Sequence, residues 1–145
     1  MKPVTLVTDG ACLGNPGPGG WACILRHNHH TKEFSGSEPR TTNNRMELRA
    51  VIEGLRTLKE RCVVTVITDS QYVKNGITQW IHKWKRNGWQ TSNKTPVLNQ
   101  ELWMALDAEV ARHDLHWEWV KGHAAHEDNN RVDELANRAA REQPG

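Results

Sequence analysis

The sequence predicts an α/β domain built on an open sheet, and three observations carry that prediction. Val4, Thr5, Leu6, Val7 and Thr8 form an unbroken β-branched and aliphatic run that closes on Asp9 and Gly10. The pattern returns at Val64, Thr65, Val66, Ile67 and Thr68, closing on Asp69 and Ser70. Runs without a polar face read as strands covered on both sides. Apolar residues also recur at helical spacing, at Leu48, Val51, Ile52 and Leu55 and again at Val132, Leu135, Ala136, Ala139 and Ala140. Two neighbouring strands of this kind bring both aspartates to one sheet edge, where open α/β sheets bind ligands. The alternative is that each aspartate opens a turn before a small residue. The repetition favours a paired acidic site.

The whole chain sets the frame for those elements. Its 145 residues, 37% hydrophobic and 25% charged, fit one domain spanning 1–145 with a single substantial core. Met1 to Val4 enter the first strand at once, with no signal-peptide core, and no apolar run is long enough to cross a bilayer. Cys12, Cys23 and Cys62 are odd in number and form no CxxC, so the expectation is a reducing, cytoplasmic setting. The net charge of +2 hides an asymmetry. From Gln71 to Gln100 there are five cations and no acid, whereas the remainder is net acidic. A basic lobe on an acidic body suits a chain that holds a polyanion with one part and cations with another.

After the first strand, Gly14, Asn15, Pro16, Gly17, Pro18, Gly19 and Gly20 lack the Lys-Ser/Thr of a Walker loop, and a strand rather than a helix follows them. They read as a turn into a hairpin, Gly20 to His27 with about Thr31 to Ser37. His27, His29 and His30 are solvated residues at its tip. Arg40 to Asn44 lead into a helix, and at 100° per residue Glu47 falls on the margin of the apolar stripe, aimed at the sheet. Asn44 and Glu47 also fit a capping box, which would give Glu47 a helix-start role instead.

The second aspartate-bearing strand precedes a short helical stretch, Gln71 to Lys74. A basic lobe follows, with Trp80, Trp84 and Trp89 interleaved with Lys83, Lys85 and Arg86. One reading is a helix that packs a tryptophan and solvates its lysines. The cations without any acid favour backbone and stacking contacts with nucleic acid. Pro96 to Asn99 open a helix burying Leu102, Trp103 and Leu106. Leu115, Trp117 and Trp119 alternate with His116 and Glu118 as a strand with one apolar face. Lys121 to His126 form a loop before the last helix. Asp133 lies on the flank of that helix's small-residue stripe, placed either to join the strand-end carboxylates or to favour the helix dipole.

Asp9, Glu47, Asp69 and Asp133 thus converge on one edge. Four carboxylates in one place repel strongly, and a hard divalent cation relieves them. Oxygen-only ligands select magnesium or manganese over zinc. Two such ions about 4 Å apart suit hydrolysis of a phosphodiester by water.

Five motifs in order then make the chain closely similar to the bacterial type 1 ribonuclease H family along essentially its whole length. They are Thr8-Asp9-Gly10 with Gly14-Asn15-Pro16-Gly17; Thr42-Asn43-Asn44-Arg45-Met46-Glu47-Leu48; Thr68-Asp69-Ser70-Gln71-Tyr72-Val73; Trp117-Glu118-Trp119-Val120-Lys121-Gly122-His123; and Val132-Asp133-Glu134-Leu135-Ala136. The resemblance implies a five-stranded mixed sheet in the order 3-2-1-4-5, strands 1–3 antiparallel, flanked by helices. It implies a monomeric endonuclease that hydrolyses the RNA strand of RNA–DNA hybrids, leaving 5′-phosphate and 3′-hydroxyl ends. Asp9, Glu47, Asp69 and Asp133 become its metal-binding carboxylates, with magnesium or manganese as two ions, and His123 the proton-transfer residue beside them. Asn15, Asn43, Asn44 and Gln71 match minor-groove contacts, and Arg40, Thr42 and Asn99 match a pocket for a DNA phosphate. Residues 79–95, with Trp80, Lys83, Trp84, Lys85, Arg86 and Trp89, match a basic protrusion gripping the DNA strand. Telling RNA from DNA needs polar groups that meet 2′-hydroxyls across a wide minor groove. Preference for a hybrid needs a feature that rejects them on the other strand, for which Trp80 against a deoxyribose is the expectation. Two competing readings remain, a DNA-cutting relative of the integrase type and a catalytically silent hybrid-binding module.

Overall fold

The computed structural model of the chain describes residues 1–121 and 127–143. In chain order the elements are β1 (Lys2–Cys12), β2 (Gly17–His27), β3 (His30–Thr41), α1 (Asn43–Arg56) and β4 (Cys62–Thr68). There follow α2 (Gln71–Asn75), a π-helical turn (Gly76–Trp80), α3 (Ile81–Arg86), α4 (Gln100–Arg112), β5 (Asp114–Trp119) and α5 (Glu127–Arg141). The strands form one five-stranded sheet ordered β3-β2-β1-β4-β5. β1, β2 and β3 pair antiparallel, while β4 runs parallel to both β1 and β5. This is the sheet order that the family resemblance implies.

The apolar runs of β1 and β4 are explained by helices on both faces. Successive side chains point to opposite faces of a strand. Val4, Leu6, Cys23, Leu25, Val64 and Val66 face one way and pack with Leu48, Val51, Ile52 and Leu55 of α1 and Leu102, Trp103 and Leu106 of α4. Val7, Ala11, Ala22, Ile24 and Ile67 face the other way and meet Val132 and Ala136 of α5. Each large side chain so buried contributes about 1.5–3 kcal/mol.

Two glycines set how closely those helices dock. A Cβ on Gly10 would lie 2.5 Å from the backbone nitrogen of Glu47, and one on Gly20 would lie 2.3 Å from the carbonyl of Ala136. Hence α1 rests directly on the end of β1, and the alanine face of α5 rests directly on β2.

The hairpin is longer than the sequence suggests, for β2 starts at Gly17 and β3 continues to Thr41. β3 is an edge strand with mostly exposed or half-buried residues, so it carries no apolar alternation to mark its end. Its register against β2 shifts between Gly17 and Gly19, opposite the stretch with Pro39, a placement that suits an edge strand. The alternative reading of Asn44 and Glu47 as a capping box does not hold. Thr42, not Asn44, is the N-cap of α1, and its hydroxyl accepts from the Arg45 N–H at 3.3 Å.

Candidate active site

β1 and β4 lie side by side in parallel, with Val7 opposite Ile67. Two residues further along each chain come Asp9 and Asp69, so equal register delivers both to the same end of the sheet. α1, seated on Gly10, adds Glu47. One oxygen from each of Asp9, Glu47 and Asp69 lies within 4.8 Å of the others. Asp9 and Glu47 are each only 7% exposed.

The electrostatics follow from that crowding. Burial, the Asp69 charge and a hydrogen bond with Asp133 raise the Asp9 carboxyl to about 8, against partial relief from the Gly10 N–H, which donates to its Oδ1 at 2.9 Å. Burial, then Asp9 and Asp69, hold Glu47 well above the ordinary carboxylate range. Asp133 thus reaches Asp9 from α5 while itself staying exposed. Asn137 steadies it, donating to its carbonyl at 2.8 Å and its Oδ1 at 3.3 Å.

Glu47 Oε2 is buried and has no hydrogen-bond partner among the described residues. A bare carboxylate oxygen among other carboxylates is costly on its own and is suited to a cation. The donors are all oxygen, as a hard divalent ion requires. The residues therefore fit such an ion.

The expected substrate contacts fall at the ends of several elements. Asn15 follows β1, and its Oδ1 accepts the Asn43 N–H at 3.1 Å, which ties the glycine-rich loop to the start of α1. Asn43 and Asn44 lie exposed in the first turn of α1, and Gln71 lies exposed at the start of α2, whose N-cap is Ser70. Arg40 is exposed near the end of β3, Thr42 caps α1, and Asn99 precedes α4.

The tryptophans divide. Trp84 and Trp89 pack against the core, whereas Trp80 is 36% exposed. Beside them opens a groove of about 440 Å³ lined by Tyr72, Trp80, Lys83, Trp84, Gln90 and Leu98 among others. Lys85 is paired with Asp107 at 3.3 Å, while Lys83 and Arg86 are exposed. His123 lies outside the described residues. Sequence reasoning gave Tyr72 no role, although it is the chain's single tyrosine, sits three residues after Asp69, and lines the groove.

The RNase H family profile matches residues 1–141. The chain belongs to the ribonuclease H family. It is 65% identical over 143 residues to the ribonuclease H of Solibacter usitatus, covering 99% of this chain and 98% of that one. It is 62% identical over 139 residues to the ribonuclease HI of Neisseria meningitidis serogroup B, covering 96% of each. Among solved structures it resembles LC9-RNase H1, described as a type 1 RNase H with the type 2 active-site motif. That likeness has a TM-score of 0.89 at 35% identity, covering 99% of this chain and 74% of the other. LC11-RNase H1, solved in complex with an RNA/DNA hybrid, shares the fold at a TM-score of 0.68 and 24% identity, covering 95% of this chain and 96% of the other. Membership of the ribonuclease H family makes the chain a hydrolase of the endoribonuclease class.

Proposed function

We propose that this ribonuclease H cleaves the RNA strand of RNA–DNA hybrids internally, leaving 5′-phosphate and 3′-hydroxyl ends. Its cofactor is magnesium, with manganese as the alternative, held as two ions by Asp9, Glu47, Asp69 and Asp133. The observation that carries this reading is the acidic cluster, three carboxylate oxygens within 4.8 Å with Glu47 Oε2 buried and unpartnered. Divalent ions there supply Lewis acidity and charge neutralisation for attack of water on a phosphodiester. The chain's own residues do the rest.

Gly10 and the parallel strands hold the carboxylates before substrate arrives, so little reorganisation accompanies reaction. The amides of Asn15, Asn43, Asn44 and Gln71 offer both donors and acceptors to 2′-hydroxyls of the RNA strand. Arg40, Thr42 and Asn99 take a phosphate of the DNA strand, and the exposed ring of Trp80 packs a deoxyribose where a 2′-hydroxyl would be desolvated. Lys83, Lys85 and Arg86, with Trp84 and Trp89 behind them, draw in the backbone. His123 is assigned proton transfer beside the carboxylates. The protein acts as a cytoplasmic monomer; among the described residues no helix is long and apolar enough to cross a membrane.

The test incubates sequence-matched hybrid, duplex DNA and duplex RNA with the protein and magnesium, then with chelator. Cutting of the hybrid's RNA strand alone, abolished by chelator, is expected. Cleavage of duplex DNA would assign an integrase-like activity instead, and binding without cleavage would make the chain a silent hybrid-binding module.

A further inference from the structure

Asn99 precedes α4 in the N-cap position, where an asparagine normally accepts an N–H of its own helix. Its side chain makes no such bond, and its backbone is left-handed, with φ 60° and ψ 31°. The amide is instead turned sideways. Its Oδ1 accepts from Arg45 Nη1 at 3.2 Å, and its Nδ2 donates to the Tyr72 hydroxyl oxygen at 3.0 Å. That same oxygen accepts from Trp103 Nε1 at 3.0 Å.

The polarity of this relay is forced by chemistry. Guanidinium and indole N–H groups only donate, so Arg45 fixes the amide oxygen on its side and Trp103 fixes Tyr72 as an acceptor. The amide nitrogen must then face Tyr72. One of its two N–H groups is used there, and this network makes no use of the second. Meanwhile the Tyr72 ring packs 5.8 Å from Trp80 and 5.2 Å from Trp103, and it lines the groove beside Trp80 and Trp84.

We propose that Tyr72 and Arg45 are positioning residues that hold the Asn99 amide with one N–H aimed at a DNA-strand phosphate, and that Tyr72 thereby joins the phosphate pocket to the aromatic groove. This rests on the hybrid-binding reading given above and assigns how one of its contacts is built. The two sites grip the DNA strand as a unit because one side chain belongs to both. Losing the hydroxyl frees the amide to rotate while leaving the ring in the groove.

The experiment is a double-mutant cycle on hybrid cleavage with magnesium. Tyr72→Phe should raise KM about three- to tenfold, the reach of one hydrogen bond, with kcat within about twofold of wild type. In an Asn99→Ala background the same substitution should change KM no further. Arg45→Met, at a half-buried surface site, should behave the same way and supplies a second arm should Tyr72→Phe fold poorly. Hybrids bearing a single methylphosphonate at successive DNA positions give an independent readout. At one position Tyr72→Phe should be less sensitive than wild type, keeping only the share that Arg40 and Thr42 supply. Equal effects of Tyr72→Phe with and without Asn99 would overturn the relay, because the hydroxyl would then only support Trp103. An unchanged KM in Tyr72→Phe would overturn it too. If Asn99→Ala itself leaves KM unchanged while wild type still cuts hybrid, Asn99 contacts no phosphate and the relay falls, but the hybrid nuclease stands.

Discussion

At the residue scale, Asp9 has the most to reveal, because the fold holds it against its own chemistry. Its carboxyl titrates near 3.8 when unperturbed and near 8 in the native protein without metal. Between those values the native state binds a proton that the unfolded chain has released. Stability in chelator should therefore fall as pH rises across that window, and the penalty should vanish below about pH 4, where both states are protonated. Asp9→Asn should flatten this slope and stabilise the metal-free protein near neutrality by on the order of 1 kcal/mol. Excess magnesium should shrink or reverse that advantage, since a cation bound to native wild type adds linkage stabilisation. Urea melts at pH 5 and pH 8, with chelator and then with magnesium, measure all of this. A variant clearly less stable than wild type in chelator would sink the repulsive-cluster account. The same substitution should abolish cleavage while leaving hybrid binding within a few-fold, read by turnover and gel shift on one preparation.

At the element scale, the site depends on how closely α1 and α5 approach the sheet. Gly10→Ala would drive a Cβ to 2.5 Å from the Glu47 nitrogen, and backbone has no rotamer with which to yield. The expected cost is about 1–3 kcal/mol, as for an overpacked core. Turnover should fall beyond any loss of folded protein, because Glu47 is displaced from Asp9. Wild-type stability and turnover together would show that α1 is not pinned there. What the sequence revealed follows the same geometry. Asp9 and Asp69 could be read because unbroken apolar runs mark buried strands, and Glu47 and Asp133 because helical periodicity places them on stripe margins. The reach of β3 to Thr41 was hidden, since an edge strand facing solvent has no apolar alternation. The cap at Thr42 was hidden by Asn44, which satisfies the same pattern two residues later. The Arg45–Asn99–Tyr72 relay and the two-fold Arg131–Glu33 contact, at 2.9 and 3.1 Å, join residues far apart in the chain. No local pattern encodes such meetings.

At the scale of the whole molecule, charge is divided between the acidic sheet edge and the basic lobe. Replacing Lys83, Lys85 and Arg86 together by alanine should weaken hybrid binding and flatten its salt dependence. Each lost phosphate contact lowers the log–log slope by roughly 0.9 on a B-form duplex. Lys85 already neutralises Asp107, so its share should be the smallest of the three. Turnover at saturating substrate should persist, and an unchanged slope would make this face merely solvated. The parallel seam at the centre of the sheet, where Lys2 meets Cys62 and Val7 meets Ile67, has a further consequence in time. Pairing so distant in sequence must first overcome the entropy of closing a long loop, which makes it a late event in folding. Until that seam closes, Asp9 and Asp69 are separate groups with no shared hold on a cation. Magnesium should accordingly leave the refolding arm of a chevron unmoved and slow only the unfolding arm. On this account the ion is not a template for the nascent fold but a lock fitted once the fold is complete.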